Sequence, residues 1–468
     1  MIAAREARAR VAYHRRMGLD VNKLGRAMTR IVGQSGSVEQ LVRLTGGASM
    51  ESWSFAFRDV GYVLRRAPAD MDMTGRPFTF SVEAALIRTA RVAGVLAPQV
   101  VGELEPADDI GSGYVMIRVE ADVRPDRILA NASPNLLDDL ARQLARIHAI
   151  PVSAAPGLPS RTVSEILVEM TERFESYGGD RPVLALALRW LHDHQPAPCD
   201  QVLLHGDFRL GNLMVDGNGL AAVLDWELAH LGDRHDDLVW GCVNSWRFGQ
   251  IDRPAFGLGD LATYWAAYEL HSGVPVDPER FRFWLVYRTF WWAMCCLGMA
   301  DIWRTGQDPS LERVVIGRRC SEAEVDLLLL LEHDAPESEL GALGHVLAQR
   351  RDAPVPSEAR RLGEPSTLEV LEAVASWIAD EVRPNAKGRD RFLASVALNA
   401  LGIAARETAN PVAVHDRMLC DDVLSGRIGL STPGLLVQLK VTALKKLAND
   451  QPSYSAYDAA RAAWGAQP

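Results

Sequence analysis

Two short apolar runs, Val202–Leu204 and Ala222–Leu224, constrain this chain most, because each leads into a polar segment that a strand would hold in place. The first runs into His205-Gly206-Asp207-Phe208-Arg209-Leu210-Gly211-Asn212, and the second delivers Asp225-Trp226-Glu227. Between them lies Asp216-Gly217-Asn218-Gly219, which has the residues of a tight turn. A hairpin here would bring Asp225 back beside Asn212. Phosphoryl transfer from a nucleotide needs a carboxylate to orient the attacking hydroxyl and oxygen ligands for Mg²⁺. Asp207 fits the first need; Asn212 and Asp225 fit the second.

Composition narrows the setting. The 468 residues carry a net charge of -10, with 48% hydrophobic and 24% charged residues. This is an ordinary globular balance, long enough for about three domains. The acidic balance argues against nucleic acid as a main partner, which wants a basic surface. Six cysteines are scattered without a CxxC pair or a zinc spacing, as expected of free thiols in a reducing compartment. No apolar leader is visible, and the apolar run Phe281–Ala300 contains Arg282 and Arg288, so it reads as a buried helix rather than a membrane span. A cytoplasmic location is expected. Before Lys387 the only lysine is Lys23, and arginine carries nearly all the positive charge.

Along the chain, residues 1–40 read as a helical segment. In 41–120, Leu41–Leu44, the period-two run Trp53, Phe55, Phe57 and the run Tyr62–Arg65 read as a strand meander. A helix at Ser81–Ala93 and a strand at Tyr114–Val119 follow. Residues 121–333 are mostly helical, with an apolar stripe at Leu136, Leu137, Leu140, Leu144 and Ile147. Prolines and acids mark 334–366 as a linker, and helical periodicity resumes over 367–468.

The His-x-Asp-x-x-x-x-Asn spacing of His205, Asp207 and Asn212, linked to Asp225-Trp226-Glu227, resembles the catalytic and metal loops of the protein-kinase fold. The Gly after the His, and Asp-Trp-Glu for Asp-Phe-Gly, are similar to the aminoglycoside phosphotransferase family, in the branch related to kinase-like domains of acyl-CoA dehydrogenase fusions. The resemblance covers about residues 40–332. It implies an α+β fold of two kinase-like lobes with an additional small all-helical C-terminal domain. It also implies ATP and Mg²⁺, and a small-molecule hydroxyl acceptor.

Residue roles follow from that resemblance. Arg209 stands where kinases place a lysine against the transferred phosphoryl group. His205 would hold the loop by packing and hydrogen bonding. Asp237, in Gly232-Asp233-Arg234-His235-Asp236-Asp237-Leu238, would brace the catalytic loop, with Asp233 as a helix cap. Gly46, Gly47 and Ser49 fit the loop over the nucleotide phosphates. The third-strand lysine is replaced: Arg65, on the face of Val63, is expected to bind the α- and β-phosphates and pair with Glu83, while Arg66 points outward. Val119 and Glu120 fall at the hinge near the adenine. Glu227 is either near a metal-bound water or simply solvated. Trp284, Tyr287, Trp291 and Trp292 line an acceptor pocket or, more in keeping with helical spacing, form core.

The acceptor expected through the branch is a hydroxyacyl-CoA, with an aminoglycoside or amino alcohol second. A nucleotide-binding pseudokinase scaffold is the alternative from another class. Residues 367–468 are similar to an uncharacterised helical domain accompanying this branch. Trp377, Phe392 and leucines would form its core, and Lys440, Lys445 and Lys446 a basic stripe for a substrate or protein contact.

Overall fold

The computed structural model describes residues 19–44, 50–68, 71, 73, 76–340 and 367–465. Gly46, Gly47 and Ser49 therefore lie outside the described residues, as do residues 1–18 of the expected N-terminal helix and 341–366 of the expected linker. The chain divides into two compact units that interleave in sequence. The first holds the described residues to Arg161 with Cys199–Gly241 and Leu258–Asp277; the second holds Thr162–Pro198, Cys242–Gly257 and the described residues from Pro278.

The first unit opens with the helix Val21–Val32, capped by Asp20, whose carboxylate accepts from the amides of Asn22 and Lys23, and closed by Gly33 at φ 74°. Strands β1 (Val38–Leu44), β2 (Glu51–Phe57), β3 (Val60–Ala67), β4 (Val100–Glu103) and β5 (Ser112–Ile117) form one sheet in the order β1-β2-β3-β5-β4. All its pairings are antiparallel. The period-two run of β2 buries Phe55 and Phe57 against Leu24, Ala27 and Met28 of the helix and Leu64 of β3. That apolar layer fixes the register of β3, which sets Arg65 opposite Ser52 and Tyr114, and Arg66 opposite Glu51 and Gly113. The helix Phe80–Val92 follows, starting at Thr79 as N-cap.

Further along the same unit, the helix Leu136–His148 buries Leu136, Leu140, Leu144 and Ile147, the stripe read from the sequence. The turn at Asp216–Gly219 does close a hairpin, of β7 (Leu213–Asp216) and β8 (Gly219–Val223), and β6 (Val202–Leu204) pairs with β9 (His230–Gly232). Asp233 caps the helix Arg234–Trp240 by accepting from the His235 amide.

The second unit is helical in its described residues. Phe281–Ala300 lies within one helix, Pro278–Arg304, and no helix among the described residues is long and apolar enough to cross a membrane. Trp284, Tyr287 and Trp292 are buried in this unit, Trp284 edge-on to Tyr287 and Trp292 edge-on to Trp246, so they are core and not pocket lining.

The C-terminal expectations need two corrections. Trp377 and Phe392 are 59% and 53% exposed and form no core; Leu435, Leu436, Leu439 and Leu447 of the helix Leu435–Asp450 do, with Cys420, Val423, Ala456 and Ala460. That helix packs on the helix Cys320–Leu331 of the same unit. Lys440 and Lys446 are buried on it: Lys440 Nζ is 2.6 Å from Glu332, and Lys446 Nζ is 3.0 Å from both Glu407 and Asp450. They spend their charge on internal carboxylates and offer no stripe to a ligand.

Candidate active site

The geometry begins at Gly206. At φ 81° it occupies a conformation that L side chains avoid, and a Cβ there would stand 2.1 Å from the Leu228 carbonyl oxygen. Only glycine fits between His205 and Asp207. The resulting turn aims both backbone amides at one buried carboxylate: the His205 and Gly206 N–H groups donate to Asp237 at 2.6 and 2.8 Å. Burial opposes ionisation of Asp237, yet His148, at 3.3 Å, and the His205 amide outweigh it and hold the carboxyl down at about 2.

His205 joins the two loops. Its Nδ1 accepts from the Asp207 amide at 3.2 Å, and its Nε2 faces the Leu224 carbonyl at 3.1 Å. A carbonyl can only accept, so the ring is neutral with its proton on Nε2; burial, which depresses its pKa, favours the same state. The ring is also packed edge-on against Trp226 at 4.7 Å between centroids. One imidazole thus ties the backbone of Asp207 to the residue before Asp225.

Asp207 is held on three sides. Trp240 Nε1 donates to Oδ1 at 2.5 Å, Arg209 Nε donates to Oδ1 at 2.9 Å, and the Asn212 amide donates to the backbone carbonyl at 3.0 Å and to Oδ2. The Leu224 amide donates to the Asn212 carbonyl at 2.8 Å, so the hairpin returns beside Asn212. Asp225 then adopts φ 64°, a left-handed conformation costing about 1 kcal/mol for a non-glycine residue.

Arg65 reaches these loops from β3. Its Nη2 donates to Asp225 Oδ1 at 2.7 Å and to Glu227 Oε2 at 2.6 Å, while Nε lies 3.4 Å from Glu83 Oε1. Burial works against its charge, but Asp225, Glu83 and Glu227 outweigh burial and raise its pKa. Glu83 also accepts from the Tyr114 hydroxyl at 2.9 Å and from Arg76. Burial, with Glu83 beside it, pushes the Tyr114 hydroxyl well above its ordinary value. Arg66 does not point outward. It is buried, with Nε 2.9 Å from Glu51 and Nη1 on the Ile110 carbonyl. The face opposite Arg65 is itself covered, so alternation separates the two guanidinia without exposing either.

Asp207, Arg209, Asn212, His205 and Asp237 form one contact network, and Arg65, Glu83 and Asp225 another beside it. Val119 and Glu120 follow β5, where Glu120 is exposed and pairs with Arg118. Sequence reasoning missed Trp240, Arg76, Tyr114 and His148. Trp240 lay within reach, three residues after Asp237 and so on the same helical face. Arg76 sits in an irregular loop, where no periodicity marks it.

Comparison with known proteins identifies the family. The model of the phosphotransferase enzyme family, APH, matches residues 40–284, and a domain of unknown function, DUF6285, matches residues 384–454. Acyl-CoA dehydrogenase family member 10 of Mus musculus is 25% identical over 294 residues, 58% of this chain and 27% of that protein. An aminoglycoside 3'-phosphotransferase of Escherichia coli is 31% identical over 139 residues, 27% of this chain and 50% of that enzyme. The chain therefore spans half or less of these relatives' own length. Among solved structures, a Ralstonia eutropha protein assigned to the aminoglycoside phosphotransferases shares the fold at TM-score 0.52 and 24% identity, over 65% of this chain and 96% of that one. With the family model covering more than half of its residues and the kinase-like α+β fold in place, the chain belongs to the phosphotransferase enzyme family.

Proposed function

We propose that the chain transfers the γ-phosphoryl group of ATP to a hydroxyl of a small metabolite, with Mg²⁺, and that a hydroxyacyl-CoA is the acceptor. One observation carries the catalytic part: the neutral His205 ring links the loops of Asp207 and Asp225, keeping a hydroxyl-orienting carboxylate and a metal-side carboxylate in fixed relation. Asp207 accepts the acceptor hydroxyl's hydrogen bond and takes its proton as the oxygen attacks. Trp240, Arg209 and Asn212 keep the carboxylate from rotating away.

The residues fit a hard divalent cation. Asp225 and Glu227 already converge on one positive atom, Arg65 Nη2, at 2.7 and 2.6 Å. With the Asn212 nitrogen committed to Asp207, its amide oxygen would be left to join the two carboxylates in holding Mg²⁺. When bound, the ion would neutralise phosphate charge. Arg65, released from these carboxylates, would bind the α- and β-phosphates, with Glu83 steadying it. Gly46, Gly47 and Ser49 would cover the phosphates, and Val119 and Glu120 would border the adenine.

The acceptor class rests on the likeness to a mouse protein whose name places it among acyl-CoA dehydrogenases. The shorter likeness to an aminoglycoside 3'-phosphotransferase supports amino alcohols as the second reading. The intact Asp207, Asn212 and Asp225 weigh against a pseudokinase. Purified protein incubated with ATP and panels of hydroxyacyl-CoAs and amino alcohols should add a phosphoryl mass to one panel. The Asp207→Asn variant should lose about 10²–10⁴-fold in rate while still binding nucleotide. No mass gain on either panel, or near-normal turnover by Asp207→Asn, would defeat the proposal.

A further inference from the structure

Arg76 lies on the loop between β3 and the helix Phe80–Val92, and its side chain is only 9% exposed. Its guanidinium lies over the Phe80 ring at 4.1 Å and donates through Nη2 to Glu83. The same Nη2 is 3.9 Å from Glu227 Oε2, which accepts from Arg65. Yet Arg76 Nε and Nη1 are buried with no hydrogen-bond partner among the described residues, and Arg65 Nε shares that condition. A buried charged donor left without an acceptor is costly unless a ligand completes it. Glu83 meets Tyr114, Arg65 and one nitrogen of Arg76, which leaves Arg76 Nε and Nη1 without an acceptor.

We propose that Arg76 is a second phosphate-binding arginine, donating Nε and Nη1 to nucleotide phosphate oxygens and forming with Arg65 a two-guanidinium clamp. Guanidinium suits this role through its fixed fork of donors, which matches phosphate oxygens in pairs. The arrangement accounts for the absence of a lysine on β3. A lysine shared with one glutamate supplies a single point charge, whereas Arg65, once released from Asp225 and Glu227, and Arg76 would offer two forked guanidinia to a polyphosphate.

This assignment rests on the nucleotide reading above, and the test separates the two. Dissociation constants for MgADP and for adenosine are measured on the full-length wild type, Arg76→Gln and Arg76→Lys, with thermal melts to establish folding. Glutamine keeps a donor for Glu83 while removing the charge, so Arg76→Gln should weaken MgADP about 10- to 100-fold and leave adenosine unchanged. Lysine should retain most of the MgADP affinity, and inorganic tripolyphosphate should displace MgADP from wild type but poorly from Arg76→Gln. If Arg76 only positions Glu83, Arg76→Gln will bind MgADP and tripolyphosphate as wild type does, which overturns the clamp and leaves the phosphotransferase reading standing. Wild type that binds neither MgADP nor adenosine would remove the nucleotide reading and the clamp with it.

Discussion

Arg65 Nη2 lies 2.7 Å from Asp225 Oδ1, so the cation expected on the phosphates is seated on the carboxylate expected on the metal. Glu227 completes the same seat at 2.6 Å. On the proposed function a divalent ion would compete with this guanidinium for the same oxygens, and nucleotide phosphates would give the guanidinium somewhere else to go. Removing it should therefore act in opposite directions on the two ligands. Arg65→Ala should bind Mn²⁺ more tightly than wild type without nucleotide, by about tenfold, because two carboxylates lose their competitor. Its affinity for ATP should fall by a similar factor. Titration of Mn²⁺ followed by electron paramagnetic resonance reads the first effect. Unchanged Mn²⁺ affinity would mean that Asp225 and Glu227 are not a metal seat.

Arg66 has the opposite profile. It is buried against Glu51, at 2.8 Å from Nη2, and serves the small sheet. Arg66→Ala leaves Glu51 short of its main partner in a buried site, which should cost about 3 kcal/mol of stability. The nucleotide KM of the folded variant should stay at the wild-type value. A raised KM with an unchanged melting temperature would reverse the assignments of the two arginines.

Trp240 offers a clean test of how Asp207 is held. Its indole N–H meets Oδ1 at 2.5 Å, and phenylalanine keeps one aromatic ring in this buried position while deleting the donor and the pyrrole half of the indole. Trp240→Phe should lower kcat about 10-fold, as expected for losing one hydrogen bond to a charged group, with little change in nucleotide KM. Equal kcat for the two proteins would make the contact incidental to turnover.

The parts of this site readable from sequence are those whose geometry is local. The turn at Asp216–Gly219 lies between two apolar runs, so the return of Asp225 toward Asn212 could be read directly, and Leu224 N on Asn212 O realises it. Period-two alternation separated Arg65 from Arg66 correctly, but alternation says nothing about what covers each face, and both faces of β3 are covered. Trp377, Phe392 and two of the three lysines of Leu435–Asp450, Lys440 and Lys446, failed for a related reason, while Lys445 is exposed. Hydrophobic identity predicts core only when a partner surface exists. The partner of this helix is the distant helix Cys320–Leu331, whose position no local pattern encodes. Its flanking Glu332 draws Lys440 inside.

That burial changes what a lysine substitution should do. Lys440 Nζ sits 2.6 Å from Glu332 and 4.9 Å from the centre of the Trp464 ring. Lys440→Met keeps the aliphatic volume but strands Glu332, so it should lower stability by about 3 kcal/mol and leave the acceptor KM of folded protein unaltered. Acceptor kinetics alongside thermal melts distinguish this from a ligand-binding lysine, which would raise KM at constant melting temperature.

Asp326 gives the second unit a pH dependence of defined sign. It is buried, accepting from the Tyr454 hydroxyl at 2.6 Å and from the Asn244 amide at 3.0 Å, and burial raises its carboxyl from 3.8 to about 6. A raised acid binds its proton more tightly in the folded chain than in the unfolded one. Between about pH 4 and 6 the folded state therefore carries the extra proton, and stability falls as pH rises through that window. Above 6 the full penalty of a buried carboxylate applies, up to about 3 kcal/mol for a shift of roughly two pH units. Asp326→Asn retains a carbonyl acceptor for Tyr454 without the charge. Its melting temperature should exceed that of wild type at pH 7.5, and the advantage should shrink through the window and disappear only below about pH 4. A difference between the two proteins that stays constant over this range would show that Asp326 does not carry the linkage.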